Sequence, residues 1–247
     1  MMTYEQRVIA ELDRWEDELL KPTGLLQSVS KRVQTKINRA IPAKVQQTLT
    51  STVRGIVRSV LFGLEYVPKQ PPLLGISLQE RDERARALLS TYQKIAAAEG
   101  AGTGAGGIVL GLVDFPALIA IKMKFLFELA HIYGYRTTDY RERLFLLYLF
   151  QLAFSAPERR KELLWKIKHW ERVASELPPE REYLQQIDWE QFQREYRDAI
   201  DFRKMLQLVP LIGAVVGAWA NYGLIEELGV VASNGYRMRI LEANKAT

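Results

Sequence analysis

Hydrophobic residues recur at helical spacing along almost the whole chain. Near the N-terminus, Tyr4, Val8, Leu12, Trp15 and Leu19 are spaced four and three residues apart, which predicts an amphipathic helix. Two more stripes of this kind follow before residue 61. No segment shows the strict alternation of a half-buried strand, and no Asn-Gly or Asp-Gly turn separates β-branched runs. The pattern predicts an all-α protein with a single multi-helix domain of about eight to ten helices.

One strong break divides the chain. Residues 68–75 read PKQPPLLG, a composition that ends helices. We predict basic amphipathic helices over residues 1–67 and a helical core over residues 76–247, together forming one domain. In the core, a stripe predicts a helix through Leu78, Ala85, Leu88, Tyr92 and Ile95. Residues 139–154 start charged and become wholly apolar, which predicts a buried helix, and a short last helix is expected over residues 231–243.

Glycines four residues apart occur in two apolar regions. Residues at this spacing share one face of a helix, and glycine there lets another backbone approach closely. We expect the helices at residues 100–132 and 206–230 to pack on each other as a glycine-rich central pair. The glycines assigned to this contact are Gly100, Gly104, Gly107, Gly111, Gly213 and Gly217. The glycine run lacks both the preceding strand and the Gly-Lys-Ser/Thr sequence of nucleotide-binding loops, so we expect a packing or hinge role.

The positive charge is concentrated in one region, residues 19–64, called the basic segment below. The chain of 247 residues has 34 Lys and Arg against 29 Asp and Glu, a net charge of +5, yet this segment has eight cations and no acidic residue. Such a segment suits an anionic membrane surface or an acidic protein. Nucleic acid is not expected, because no DNA-binding motif accompanies the charge and Phe62 is its single aromatic residue. The residues expected to contact the anionic surface are Lys31, Arg32, Lys36, Arg39, Lys44, Arg54 and Arg58.

Composition also excludes several kinds of chemistry. The chain has no cysteine, so disulfides, thiolate metal sites and a cysteine nucleophile are excluded. Only two histidines occur, and the single Glu128-x-x-His131 pair is half of what a di-iron helix-bundle site needs. We therefore expect no metal and no cofactor, and a hydrogen-bonded core or rim role for His131. The charged N-terminus is unlike a secretory signal, which favours a cytoplasmic location.

The two long apolar stretches allow two interpretations. Residues 205–225 are uncharged and would form a helix of about 31 Å, while residues 108–133 include Asp114 and two lysines. One interpretation is a buried helical hairpin of a soluble domain. The other is reversible membrane association, in which this hairpin dips into lipid or the basic helices lie on its surface.

Several blocks of the sequence, taken in order, resemble the EcsC protein family. They are Ala96 to Gly107 (AAAEGAGTGAGG), Asp114 to Leu118 (DFPAL), Tyr133-Gly-Tyr135, Glu142-Arg143, Val209 to Gly217 (VPLIGAVVG), Asn221-Tyr222 and Tyr236-Arg-Met-Arg239, with a weaker likeness at Ile37 to Pro42 (INRAIP). The likeness covers roughly residues 35–242.

The resemblance implies a bacterial protein connected with an ABC transporter and with membrane processes, and no known catalytic chemistry. Asp114, Glu142, Arg143 and Asn221 lie in the matching blocks, so we take them as candidate functional or structural polar residues. We expect a non-enzymatic accessory protein at or near the cytoplasmic face of the membrane. The alternatives are a hydrolase-like enzyme using Asp114 and Glu142, and a soluble helical module that binds other proteins.

Overall fold

A computed structural model describes residues 2–21, 55, 57, 60–61, 66–104, 115–186 and 213–245. Within these residues the chain forms eight helices and no strand, which confirms the all-α prediction for a single domain. The helices are α1 (Tyr4–Leu20), α2 (Leu78–Gly104), α3 (Phe115–Ile132), α4 (Tyr140–Phe154), α5 (Pro157–Lys168), α6 (Trp170–Ser175), α7 (Glu180–Gln186) and α8 (Gly213–Lys245).

Local sequence signals explain several helix ends. Thr3 and Gln6 form a reciprocal capping box at the start of α1, and Asp139 caps α4 through the backbone N–H of Arg141. Pro157 occupies the first turn of α5, where its missing N–H costs nothing. The chain leaves α3 through Gly134 at φ +94°, a backbone conformation that favours glycine.

Helices α2 and α8 form the central pair of the fold. At about 1.5 Å per residue, they are about 40 and 50 Å long, and α8 packs more extensively on α2 than on any other described helix. The pair is antiparallel, because Leu89 lies against Gly229 while the earlier Asp82 meets the later Arg237.

Gly100 and Gly104 end α2 instead of belonging to the following helix. Contacts at the glycines of the predicted central pair lie outside the described residues, so that packing stays a prediction.

Among the described helices, α4 contributes the most buried hydrophobic residues to the core, followed by α8 and α3. Twelve of the 15 residues of α4 are buried, as predicted for residues 139–154. Helix α4 packs on α8 and α5, α3 packs on α2, and α1 crosses α8 and α5. The largest side chains that are fully buried are Trp170, Tyr133, Tyr236, Lys122, Phe125, Phe127, Phe145, Phe150 and Phe154.

Two helix predictions need correction. The stripe predicted for α2 is confirmed from Leu78 to Tyr92 and is wrong at its last residue, because Ile95 is 43% exposed and Ala96 is fully buried instead. The short last helix expected over residues 231–243 is the second half of the continuous α8. Gly229 lies within this helix, and its missing side chain makes room for Leu89.

The described parts of the two apolar stretches are helical. Residues 213–225 form the first part of α8, and residues 115–132 form α3. None of the described helices combines the length and apolar character needed to cross a membrane.

Two glycines of α8 should respond oppositely to alanine. A Cβ at Gly235 would lie 2.5 Å from Leu149 Cδ2, a buried side chain, whereas a Cβ at Gly223 would meet nothing within 4 Å. We expect Gly235→Ala to lower the free energy of unfolding by about 1–2 kcal/mol through overpacking. Gly223→Ala should raise it by about 0.5–1 kcal/mol through helix propensity. Urea unfolding measures both, and equal stabilisation by the two changes would contradict this account.

Candidate functional site

Three of the blocks that carry the family resemblance meet in space. They are the Tyr133-Gly-Tyr135 turn after α3, the start of α4 at Glu142-Arg143, and the Tyr236-Arg-Met-Arg239 segment of α8. The Tyr236 ring stacks on the rings of Tyr133 and Tyr135, with centroids 5.3 and 5.1 Å away. Because these aromatic contacts exclude water, the charged groups beside them lie in a medium of low polarity.

Arg239 forms the first half of a buried charge cluster. Its two terminal nitrogens each donate to one oxygen of Glu142, both at 2.8 Å, and Nη2 also donates to Glu171. The guanidinium carbon lies 3.9 Å from the centroid of the Tyr135 ring. Burial alone would lower the pKa of Arg239, but the hydrogen bonds and charge of Glu142 outweigh it and raise the pKa above its ordinary value. Arg239 is therefore a fixed cation.

Asp82 forms the second half of the cluster. Its carboxylate is 1% exposed and accepts hydrogen bonds from Tyr4 Oη and Tyr133 Oη, both at 2.6 Å, and from Arg237 at 3.0–3.1 Å. Burial and the neighbouring Asp82 raise the pKa of Tyr133, and the same causes raise that of Tyr4. Both hydroxyls thus stay protonated and act as donors. One carboxylate ties together α1, α2, α8 and the turn after α3.

A cleft of about 280 Å³ opens beside this carboxylate, with Trp15, Ser233 and Asn234 on its wall. The charged groups that reach it from the cluster are already paired, Asp82 with Arg237 and Arg237 also with Glu11. Since Asp82 on α2 and Arg237 on α8 pair with each other, their main effect is to hold these two helices together.

The structure describes two of the four candidate polar residues, Glu142 and Arg143. Both take part in internal ion pairs. Glu142 pairs with Arg239, while Arg143 donates to the backbone oxygens of Leu61, Thr137 and Thr138 and to Glu180 at 2.5 Å. Both carboxylate oxygens of Glu142 are therefore engaged by one arginine.

The other candidate residues remain predictions. Asp114 and all seven basic residues expected at an anionic surface lie outside the described residues, as do Gly107 and Gly111. The backbone of Asn221 lies in α8, but its side chain is outside the description. Four of the predicted packing glycines lie in described helices, Gly100 and Gly104 in α2 and Gly213 and Gly217 in α8. Their surroundings lie outside the described residues.

Sequence reasoning missed Asp82, Arg237 and Tyr4. The signal for Asp82 was present, because it lies four residues after Leu78 and three before Ala85, on the inward stripe of α2. A carboxylate on such a stripe needs a buried partner. Which cation supplies it was not visible, since Arg237 is 155 positions away.

His131 is a hydrogen-bonded residue of the core rim, as predicted. Its Nδ1–H donates to the carbonyl oxygen of Gln70 at 3.0 Å, and its Nε2 lies 3.1 Å from the Thr137 hydroxyl, which can donate to it. Glu128, its partner in the Glu-x-x-His pair, instead accepts from Tyr92 Oη at 2.9 Å. Among the described residues, no group of three His, Asp or Glu side chains could hold a metal ion.

The chain is similar to known proteins along nearly its full length. The sequence profile of the EcsC protein family matches residues 6–241. Protein EcsC of Bacillus subtilis (strain 168) is 43% identical over 98% of each chain. The uncharacterized protein YdbA of the same organism is 24% identical, covering 97% of this chain and 94% of its own. No solved structure matches the chain significantly.

Loss of the Glu142 charge should destabilise the fold. Glu142→Gln keeps the shape of the side chain but leaves the Arg239 guanidinium, 4% exposed, with only the exposed Glu171. Removing one partner of a buried pair costs about 3–5 kcal/mol. We expect the free energy of unfolding, measured with urea, to decrease by this order. The control is Glu176→Gln in the exposed Arg172–Glu176 pair, where the change should be under about 1 kcal/mol. Equal effects would contradict a buried bracing role.

The free energy of unfolding should decrease as the pH falls below 6.5, and His131 should account for part of this decrease. Burial lowers the pKa of His131 from its ordinary 6.5, Arg136 lowers it further, and the bond to Gln70 opposes only part of this. Below pH 6.5 the unfolded chain thus binds a proton that the folded chain resists, so acid favours unfolding. We expect the stability advantage of the wild type over His131→Gln to shrink between pH 7 and pH 5 in urea unfolding. A constant difference would show that the folded pKa is not lowered.

Proposed function

The chain belongs to the EcsC protein family, and from this premise we propose that it is a non-enzymatic accessory protein acting at the cytoplasmic face of the membrane. In this proposal its basic segment, residues 19–64, binds anionic lipid at the surface. The observation that carries it is the charge of that segment, with eight cations and no acidic residue in 46 positions. Each cation near an anionic bilayer contributes about 1 kcal/mol of binding free energy.

The folded core holds the described parts of this segment at both ends. On the N-terminal side, Arg160 donates to the backbone oxygen of Leu19 at 3.1 Å, and Lys168 pairs with Glu16 at 2.8 Å. On the C-terminal side, Val57, Val60 and Leu61 are buried in the core. A lipid contact made by the cations between these ends would therefore hold the whole protein at the membrane.

The buried cluster supports an accessory role over an enzymatic one. Glu142 is paired with Arg239, and Asp82 is paired with Arg237 and accepts hydrogen bonds from two tyrosine hydroxyls. These groups stabilise a helical body that carries the basic segment, and their chemistry favours a fixed scaffold.

Vesicle flotation tests the proposal. We expect the protein to float with phosphatidylglycerol vesicles at low salt, to float less at high salt, and to stay in solution with phosphatidylcholine vesicles, because salt screens exposed charges beyond about 10 Å at 0.1 M. Reversing four charges by Lys31→Glu, Lys36→Glu, Arg39→Glu and Lys44→Glu should weaken binding by more than about 100-fold.

The matched control also reverses four cations, by Lys94→Glu, Lys161→Glu, Arg172→Glu and Arg181→Glu, all exposed in the described structure. This variant should keep most of its binding if the basic segment is the contact. Equal loss in both variants would show that only net charge matters. If the protein floats with neither pure lipid but binds inverted cell-membrane vesicles, its partner is a membrane protein and the lipid proposal is wrong.

A further inference from the structure

A second open cavity lies between the loop at residues 66–73 and helix α3. Its volume is about 580 Å³, within the range of about 300–1,000 Å³ that small-molecule sites occupy. Much of its lining is apolar: Tyr66, Val67, Pro68, Leu73, Leu88 and Ile132. We call this cavity the loop groove. It is separate from the cleft beside Asp82, and none of its lining residues belongs to the basic segment.

Hydrogen bonds hold the loop groove in shape. The backbone N–H of Leu73 donates to the carbonyl oxygen of His131 at 2.9 Å, and His131 Nδ1–H donates back to Gln70 at 3.0 Å. Arg81 donates from Nη1 to the carbonyl oxygens of Leu73 and Ile132, both at 2.8 Å. The loop is thus fastened to α2 and α3 before any ligand binds, which reduces the ordering cost of binding.

The polar groups of the loop groove differ in how far they are already engaged. Glu128 accepts from Tyr92, and both nitrogens of His131 have partners. Lys69 on the loop and Lys124 on α3 are exposed, and within the described part of the chain neither ammonium has a hydrogen-bonding or ionic partner. Two lysines that are unpaired within the described residues therefore border an apolar surface, together with the carboxylate of Glu128.

We propose that the loop groove binds a single-chain anionic amphiphile, with its acyl tail against the apolar lining and its carboxylate or phosphate head between Lys69 and Lys124. The tail accounts for the apolar wall, and the head supplies negative charge to two lysines that outnumber Glu128, the one carboxylate in the described lining. The site does not depend on the membrane-surface proposal, because it takes a dissolved monomer and uses other residues.

Calorimetric titration of the full chain with monomeric fatty acids tests this site. Across octanoate, decanoate and dodecanoate, the affinity should rise about fourfold for each added methylene that the groove buries. Dodecanol, which has the tail without the charge, should bind about tenfold more weakly than dodecanoate. Acetate and inorganic phosphate should show no measurable binding, since they have no tail.

Lysine variants separate the head from the tail. Lys69→Gln and Lys124→Gln should each weaken dodecanoate binding about tenfold and leave dodecanol unchanged. The controls Lys94→Gln and Lys161→Gln remove exposed lysines elsewhere and should leave both ligands unchanged. Leu88 is a half-buried residue of the groove wall, and Leu88→Gln should weaken the binding of both ligands alike. A cooperative thermal unfolding transition would show that this variant is folded.

Three results would overturn the proposal. They are no binding of any fatty acid, binding of dodecanoate that ignores both groove lysines, and binding of acetate or phosphate as tight as that of dodecanoate. If the first of these results came together with flotation on anionic vesicles, it would still support the basic segment as the lipid contact. Dodecanoate binding without flotation would have the opposite meaning, so the two proposals fail independently.

Discussion

Two arginines on a single stretch of α8, the buried Arg239 and the half-buried Arg237, hold α2 and α4 against this helix. Arg237 and Arg239 are two positions apart, which places them about 200° apart around the helix. One therefore reaches Asp82 on α2, and the other reaches Glu142 on α4. A buried guanidinium without its carboxylate costs several kcal/mol. A slip of α8 by one residue along either neighbour would break such a pair, so these contacts fix the register that apolar packing alone leaves loosely defined.

The same cluster connects the parts of the chain to which we assign surface roles. Tyr4 brings α1 onto Asp82, and Arg143 donates to the backbone oxygen of Leu61 near the end of the basic segment. On the other side, Arg81, one residue before Asp82, fastens the loop that forms the wall of the groove. In our proposals the interior is thus a scaffold, and the binding functions lie on segments anchored to it.

Much of the fold could be predicted from local pattern, because burial repeats with the period of the helix. The stripe of α1 and the apolar run of α4 predicted their helices closely. Gly229 could not be interpreted in this way, because its role is close packing against Leu89 from a distant helix. The candidate site was predictable only in part for a similar reason. Glu142 and Arg143 lie in a recognisable block, but Arg239, the partner of Glu142, is 97 positions away, and spacing along the chain carries no information about such pairs.

The central pair of helices also has a consequence during synthesis. Asp82 emerges from the ribosome 155 residues before Arg237, which at about 5–20 residues per second is roughly 10–30 s. During that time the inward face of α2, including the Asp82 carboxylate, is already synthesised, but the part of α8 that covers it is not. The nascent chain therefore presents an apolar surface that other proteins can bind, and chaperones have time to reach it before the last helix is complete.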